Sequence, residues 1–324
     1  LYIINRIRQA YENSKMNFYA QIGGSFFLLE YAMKKLKSAI NISNQIVELE
    51  SKGIIVDNKE YATQILNRIN YYRILGYILP FKQNLKNGEK IHFRRIMRVL
   101  AFDQRLRGLL LKYIEHVEIS LRTFIVKSLA FKEHKDGISY RNPCFYRSKE
   151  KFEKWIASID EAAAQSDEPF MAHYRREYNG QYPIWVILEV VSIGKLSRMY
   201  EILNKNIQRD IAGCYNNIHH SRLIGYLKAV SYLRNKCAHH SRIYYRMFKA
   251  QVPAFWYGEK GLENEYFTNK RLFSQLYILK DLCVDVNTWG TFLTDLTKLV
   301  KNFEKDIDIR HLGFPEDWQK LLKQ

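Results

Sequence analysis

Residues 93–131, FRRIMRVLAFDQRLRGLLLKYIEHVEISLRTFIVKSLAF, form the longest stretch of the chain with a helical pattern. Large apolar side chains recur there at steps of three and four residues, the spacing that places them on one face of an α-helix. The side chains of this face belong to Leu106, Leu109, Leu110, Tyr113, Val117 and Leu121. The pattern predicts one long helix that buries this face in a core.

Two pairs of opposite charge lie four residues apart on the polar side of the same stretch. They are Asp103 with Arg107 and Glu118 with Arg122, and such pairs stabilise a helix by about 0.2–0.5 kcal/mol each. We interpret both pairs as structural. Because a basic helix flank can also contact phosphates, Glu118 and Arg122 are kept as secondary candidates for a functional site.

Residues that interrupt helices are scarce, with six prolines and 15 glycines among 324 residues. The sequence therefore predicts an all-α fold. Residues 184–191 are rich in β-branched side chains, but Pro183 suits a first helical turn and the apolar pattern continues to Leu203, so a buried helix is expected there. Other helices are expected at 41–52, 59–77, 221–248, 271–284 and 292–303, with an extended piece at 54–56 and loops at 83–88 and 132–152.

Basic residues outnumber acidic residues by 51 to 33, which leaves a net charge of +18. An excess of this size indicates a polyanionic partner, either nucleic acid or an anionic membrane surface. The 23 tyrosines and 18 phenylalanines favour nucleic acid, because aromatic rings stack on unpaired bases. No apolar run is long enough to cross a bilayer, and no membrane partner is expected.

The four cysteines are far apart and include no CxxC pair, which favours a reduced, cytoplasmic protein. The first 32 residues lack the pattern of a cleavable signal peptide. They precede MKKL at residues 33–36, which looks like a natural start of translation. We expect residues 1–32 to be an extension outside the native domain.

The segment Arg234-Asn235-Lys236-Cys237-Ala238-His239 concentrates more chemistry than any other part of the chain. On one helix over residues 221–248, Asn235, His239, Arg242 and Arg246 would follow at steps of four, three and four and share a polar face. Clustered like charges are costly unless an anion relieves them. The segment therefore predicts an exposed site for an anionic partner.

The opposite face of the same predicted helix is apolar. It carries Tyr226, Val230, Leu233, Cys237 and Tyr244. We expect this face to pack on the protein. His240 falls on that side, where packing or capping is its simplest role.

Other site classes find little support. The pair Gly194-Lys195 lacks the phosphate-loop glycine five positions earlier, where Glu189 stands. A zinc site built on His220 and Cys237 would need atoms about 25 Å apart on one helix at 1.5 Å per residue. No metal and no cofactor are expected.

The string RNKCAHHSRIYYR at residues 234–246 resembles the signature of the abortive-infection AbiD/AbiF-like family, which carries the Arg-Asn-x-x-x-His motif of the HEPN ribonuclease superfamily. The resemblance extends over roughly residues 40–250. Its other matching stretches are INYYRILGY at 69–77, FDQRLR to EISLR across 102–122, and YPIW with Glu189 at 182–189. Tyr244 and Tyr245 stand where the family commonly shows a Trp-Asn pair, so no role is assigned to that asparagine here.

This resemblance implies a HEPN-like helical bundle with additional helices at both ends. The bundle would occupy residues 91–250, between an N-terminal helical region at 33–90 and a C-terminal helical region at 251–324. It also implies a toxin-like phage-defence protein, a metal-independent endoribonuclease that forms a homodimer. A structured noncoding RNA is a further expected partner.

Cleavage of RNA without a metal needs a group that moves protons and a cation that holds the phosphate. We expect His239 to act as the acid or base, Arg234 to bind the phosphate and Asn235 to orient His239 or the scissile group. The side chains expected to bind RNA around them are Lys236, His240, Arg242 and Arg246.

Two other functions remain open from the sequence. In a non-catalytic RNA-binding defence protein, the arginines would clamp a folded RNA and His239 would be structural. In a toxin that binds only proteins, the positive charge would serve solubility. If the protein is an enzyme, replacing His239 by alanine should abolish cleavage while RNA affinity persists, which distinguishes the enzyme from the RNA-binding protein. Weak RNA binding that does not respond to salt would favour the toxin that binds only proteins.

Overall fold

The computed structural model describes residues 38–134, 137–215, 218–248, 268 and 270–323. All helices described below lie in the compact unit that begins at Ile42. The extension expected at residues 1–32 lies outside the described residues. Residues 38–41, which precede the unit, have no helix or strand.

Most of the described residues lie in helices and the strands are very short, which confirms the all-α prediction. The α-helices are, in chain order, α1 (Ile42–Ser51), α2 (Lys59–Leu66), α3 (Tyr71–Ile78), α4 (Lys82–Lys86), α5 (Phe93–Val126), α6 (Lys149–Gln165), α7 (Pro169–Glu177), α8 (Ile184–Ile187), α9 (Ile193–Ile202), α10 (Lys205–Ala212), α11 (His220–Ala238), α12 (Leu272–Leu282), α13 (Val286–Asn302) and α14 (Trp318–Lys323). Two short strands, β1 (Ile54–Ile55) and β2 (Ile91–His92), pair in parallel with Ile54 opposite Ile91. The strand β1 is the extended piece expected at 54–56.

Helix α5 is the long helix expected from residue 93, and a π-helical segment, Lys127–His134, continues it. Five of the six side chains of its predicted apolar face are buried, and Leu109 is half-buried against the same core. Helices α3, α11 and α13 pack along α5. Full burial of a leucine side chain stabilises a fold by about 1.5–3 kcal/mol, so this face anchors the bundle.

Both charge pairs of α5 are formed, as expected. Asp103 and Arg107 form an ion pair, but both are almost fully buried, so their expected place on the polar side of the helix was wrong. Arg122 contacts Glu118 at 2.7 Å and donates a second hydrogen bond, of 2.8 Å, to the carbonyl of Leu188. The second pair therefore joins α5 to the segment that follows α8.

Several predicted helices are interrupted where a polar side chain caps a new start. The helix expected over 59–77 was wrong in its continuity, because Asn70 accepts a 2.8 Å hydrogen bond from the backbone N–H of Tyr72 and begins α3. The buried helix expected after Pro183 is confirmed as helical but consists of α8, a 3₁₀ turn, Leu188–Val190, and α9. The apolar side chains of Ile187, Leu188 and Val191 at the break are buried, whereas Trp185 is exposed.

The two predicted loops contain helices. Residues 83–88 were expected to be a loop, but α4 occupies most of them. Residues 132–152 contain the 3₁₀ turns Ser139–Arg141 and Pro143–Phe145, and they also include the start of α6. Ser148 begins α6 by accepting a 3.4 Å hydrogen bond from the N–H of Lys151. Helix α4 and the two 3₁₀ turns are too short to show a clear apolar period in the sequence.

None of the described helices combines the length and apolar character needed to cross a lipid bilayer.

Candidate functional site

Helix α11 carries the Arg-Asn-x-x-x-His segment at its C-terminal end. The single helix expected over residues 221–248 was wrong, because α11 ends at Ala238. The N–H of His240 donates to the carbonyl of Cys237 at 3.1 Å, and the N–H of Ser241 donates to the carbonyl of Lys236 at 2.9 Å. These two bonds form a Schellman motif, which requires a left-handed residue just after the helix.

His240 is that left-handed residue, with φ 54°. Glycine usually fills this position because it has no Cβ to clash with the following carbonyl, and a left-handed conformation costs other residues roughly 1–2 kcal/mol. Residues 238–242 contain no glycine, so the end of the helix could not be predicted from the usual residue at this position. Arg73 of α3 donates a 2.7 Å hydrogen bond to the carbonyl of His240 and holds the turn in place.

The turn divides the predicted polar stripe into two parts. Asn235 and His239 stay together, since the N–H of His239 donates to the carbonyl of Asn235 at 3.0 Å. Arg242 instead turns toward α3, where its Nη1 donates to the carbonyl of Gly76 at 2.7 Å. Arg246 donates from Nε to the carbonyl of Arg242. The four side chains therefore do not form one continuous stripe.

Arg242 lies in a less polar environment than the sequence indicated. Its burial lowers the pKa of its guanidinium, and the charge of Arg246 lowers it further. Both effects disfavour a positive charge. The hydrogen bond to Gly76 compensates part of this cost, so Arg242 fastens the motif to α3.

Asp103 holds the chain that follows the turn. Its Oδ1 accepts hydrogen bonds from the backbone N–H groups of Ile243, at 2.9 Å, and Tyr244, at 2.6 Å. Its Oδ2 accepts from the Tyr77 hydroxyl at 2.7 Å and pairs with Arg107. Burial and the neighbouring Asp103 carboxylate raise the pKa of Tyr77 to about 12. One buried carboxylate thus joins α3, α5 and the segment after α11.

This role of Asp103 was missed by sequence reasoning, which assigned Asp103 only to an ion pair within α5. The partners lie 140 and 141 residues away along the chain. The Asp103 carboxylate binds the backbone N–H groups of these partners. Because nearly every residue carries such a group, the side chains at positions 243 and 244 do not indicate the contact. The sequence contained no sign that Asp103 is buried, because its pairing with Arg107 placed it on the polar side of the predicted helix.

The exposed part of the site is the last turn of α11 and the residue after it. Asn235 and His239 are exposed, and Arg234 is half-buried with its Nη1 3.4 Å from the Asn235 Oδ1. Lys236 lies over the ring of Tyr232 at 5.0 Å. The carbonyl end of a helix carries partial negative charge, which favours nearby cations. A guanidinium, an amide and an imidazole are thus presented together to solvent.

The apolar face of α11 is packed as expected. Tyr226, Val230, Leu233 and Cys237 are buried, and so is Tyr244 beyond the turn. This packing fixes the orientation of the helix that presents the site.

The secondary candidates Glu118 and Arg122 are not joined to this site. Among the described residues, neither forms a hydrogen bond or ion pair with residues 234–246. The part of the chain described here also holds no group of three His, Cys, Asp or Glu side chains arranged for a metal ion. His220 and Cys237 lie at opposite ends of α11.

A family model described as Abi-like protein matches residues 64–245, which is more than half of the chain. The matched region contains α3, α5, α11 and the whole turn that follows α11. No curated protein and no solved structure matches the chain. The family match supports a role in abortive infection, a form of phage defence. The chain belongs to the family of Abi-like proteins.

Proposed function

We propose that this protein is a metal-independent endoribonuclease that acts as a toxin in abortive infection. The observation that carries the proposal is the group at the end of α11, in which Asn235 and His239 are exposed and the half-buried Arg234 contacts Asn235. Buried contacts from α3 and α5 hold the chain on the far side of the turn. An exposed, chemically rich group on a rigid support is typical of a site that binds and transforms a partner. The net charge of +18 favours RNA as that partner.

RNA carries its own nucleophile, so the reaction needs no group beyond those of the protein and substrate. A basic imidazole removes the proton from the 2′-hydroxyl, and the 2′-oxygen attacks the adjacent phosphorus. The bond from phosphorus to the 5′-oxygen breaks, and a protonated acid supplies a proton to the leaving oxygen. The products are a 2′,3′-cyclic phosphate and a free 5′-hydroxyl.

His239 is the residue that moves protons in this scheme, because an imidazole can act as a general base and, once protonated, as a general acid. Arg234 binds the phosphate with its forked donors and stabilises the charge that develops there. Asn235 holds Arg234 or the substrate through its amide. Proton transfer by a positioned side chain contributes typically about 100- to 10,000-fold to a rate.

The surrounding basic residues contribute to RNA binding or to the turn rather than to the chemical step. Lys236 and His240 are exposed or half-exposed beside the site and bind neighbouring phosphates. Arg242 and Arg246 already donate to protein carbonyls, so only their remaining N–H groups reach RNA. Their main contribution is to hold the turn.

A homodimer would supply the second proton-transferring group. One chain provides one His239, and the acid and base steps use two groups at once. A two-fold axis that brings two α11 C-termini together would place two copies in one cleft. A structured noncoding RNA is proposed as a further partner of the same basic surface.

The test compares two histidine variants of the same helix. His239→Ala lies at the end of α11, and the matched control His219→Ala lies just before its start. Full-length proteins are incubated with a 5′-labelled, single-stranded RNA of mixed sequence in the presence of EDTA, and RNA binding is measured in parallel. We expect cleavage by wild type and His219→Ala, a loss of about 100-fold or more for His239→Ala, and similar RNA affinity for all three.

The chemistry of the cut ends supplies an independent check. Products should carry a 2′,3′-cyclic phosphate and a 5′-hydroxyl. Cleavage by His239→Ala at the wild-type rate would overturn the proposal. Tight RNA binding by the wild type without any cleavage would instead favour the non-catalytic RNA-binding protein.

A further inference from the structure

A cleft of about 600 Å³ lies beside the segment that follows α11. One wall consists of side chains from residues 79–86, which continue directly from α3. The opposite walls are formed by Tyr244 and Tyr245 and by the segment that contains Asp308 and His311. None of the residues expected from the sequence to catalyse cleavage or bind RNA lines this cleft.

The charge of the cleft is strongly positive. Four of its lining residues carry a fixed positive charge, and one carries a negative charge. The four cations are Lys82, Lys86, Arg95 and Arg310. The single carboxylate, Asp308, is already paired with Arg310 at 2.7 Å. The remaining charge is therefore that of three cations, which repel one another unless an anion is bound.

Lys82 and Lys86 are the cations best placed to meet a ligand. They are four residues apart on α4 and so project from the same side of the helix. Both are exposed, and neither forms an ion pair with any residue that the structure describes. Arg95 is more restricted, because its guanidinium lies 4.9 Å from the Phe81 ring centre and its Nε donates to a backbone carbonyl.

An aromatic side chain completes the cleft. Tyr245 is half-buried and has a left-handed backbone, with φ 56°. Such a conformation is an outlier for a bulky residue and persists only where the surroundings impose it. Its ring packs against His311 with 4.9 Å between ring centres, and the Arg271 guanidinium lies over the ring at 5.2 Å, so one face at most is left for a base. Cations beside a held aromatic ring match a single-stranded nucleic acid, whose phosphates pair with lysine and whose bases stack on rings.

Helix α3 connects the cleft to the site at the end of α11. Arg73, near the start of α3, binds the carbonyl of His240, whereas Leu79, just after its end, lines the cleft. Arg73 and Leu79 are six residues apart, which corresponds to about 9 Å at 1.5 Å per residue. A stacked strand covers that length in about three nucleotides at about 3.4 Å each.

We propose that this cleft binds single-stranded RNA a few nucleotides away from the phosphate that is cut. The inference rests on the proposed function and adds to it a second binding subsite with defined residues. Lys82 and Lys86 pair with consecutive phosphates, and Tyr245 supports a base. The subsite makes the protein prefer an unpaired stretch longer than the cut dinucleotide, because a duplex would not expose its bases to the ring.

The experiment measures how RNA affinity depends on salt. The probe is a fluorescein-labelled oligouridylate of about 12 nucleotides, a length within the usual range of single-strand sites, and full-length His239→Ala protein is used so that the probe stays intact. Each phosphate contact on a single strand contributes about 0.7 to the slope of log affinity against log salt. Adding Lys82→Ala and Lys86→Ala should therefore make that negative slope shallower by about 1.4.

The matched control removes two exposed lysines elsewhere, with Lys151→Ala on α6 and Lys205→Ala on α10. Neither lines the cleft, and the control should keep the slope of the parent protein. Equal slopes for the cleft variant and the parent would overturn the subsite while leaving the proposed nuclease intact. A parent protein whose affinity does not respond to salt would overturn both, because no phosphate would then be bound.

Charge reversal gives a second measurement at the same positions. Lys82→Glu with Lys86→Glu should weaken probe binding more than the alanine pair does, and the loss should shrink as salt rises. Thermal melting of each variant checks that the fold is kept. A reversal pair that folds and binds the probe like the parent would also contradict the proposal.

Discussion

The carboxylate of Asp103 accepts a 2.6 Å hydrogen bond from the backbone N–H of Tyr244, a residue 141 positions later in the chain. The bond lies between the long helix α5 and the segment that follows the exposed site. Because Asp103 is fully buried, water cannot replace the bond if it is lost. The geometry of the turn at His240 therefore depends on a side chain that does not itself reach solvent.

Replacing Asp103 by alanine should destabilise the fold strongly. The change leaves the charge of Arg107 buried without its partner and removes the acceptor for two backbone N–H groups. Breaking a buried ion pair in this way costs about 3–5 kcal/mol. Denaturant unfolding of the purified protein measures the loss.

Asp295 provides the matched control for Asp103. It lies 3.6 Å from Lys112 in a pair whose side chains are both exposed by a third or more. Exposed pairs contribute about 0–1 kcal/mol, and the 3.2 Å hydrogen bond that the Tyr113 hydroxyl donates to Asp295 adds about 0.5–1.5 kcal/mol. Asp295→Ala should therefore lower the unfolding free energy by less than Asp103→Ala does. Equal losses for the two alanine variants would show that the Asp103 network does not hold the segment.

The long helix and its buried face could be predicted from the sequence because they depend on local periodicity. The apolar side chains of α5 recur over many turns, and Leu106 and Val117 are buried as that period requires. The burial of Tyr226 and Leu233 on α11 was predicted for the same reason. A repeated pattern of this kind leaves little ambiguity about which face meets the core.

The course of the chain after α11 could not be predicted in the same way. Its end depends on a left-handed histidine at position 240 in place of the glycine that usually marks such a turn. Its anchoring depends on Asp103, whose partners are backbone groups far away in sequence. The cleft beside Tyr245 was also missed, because Lys86 was assigned to a loop and the other walls of the cleft come from distant segments.

Substitutions at His240 should reveal the strain of the left-handed turn. Glycine has no Cβ and should raise the unfolding free energy by up to about 1 kcal/mol, whereas the β-branched valine should lower it by roughly 1–2 kcal/mol. Thermal or denaturant unfolding of His240→Gly and His240→Val measures both changes.

Ser241→Gly tests whether the gain at position 240 is specific. Ser241 is not among the described residues with positive φ, so glycine brings it only added freedom in the unfolded chain. That variant should lose stability. A gain at position 241 equal to that at position 240 would contradict the strained-turn explanation.

The neighbouring tyrosines 244 and 245 should differ sharply when each loses its hydroxyl. The Tyr244 hydroxyl accepts a 2.9 Å hydrogen bond from the N–H of Asp308 and lies 2.8 Å from the His311 Nδ1. Tyr244→Phe leaves the Asp308 N–H without this acceptor in a partly buried site. An unsatisfied group of this kind costs about 1–3 kcal/mol.

Tyr245→Phe is the control, since the Tyr245 hydroxyl makes no hydrogen bond within the described part of the chain. The phenyl ring keeps the packing against His311, so the unfolding free energy of the Tyr245→Phe variant should differ from that of the wild type by less than about 0.5 kcal/mol. Two equal losses would mean that the Tyr244 hydroxyl does not join the turn to the C-terminal segment.

Subunit exchange should show whether two copies of His239 act together. Wild-type protein is mixed with an equal amount of His239→Ala protein under conditions that let subunits exchange. Random pairing leaves about half of the wild-type subunits with a wild-type partner. If a single RNA cut uses a histidine from each copy, cleavage per wild-type subunit should fall to about half, since mixed pairs lack either the acid or the base. Exchange with His219→Ala protein should leave cleavage unchanged, and an equal lack of effect with His239→Ala would mean that each copy cuts RNA alone.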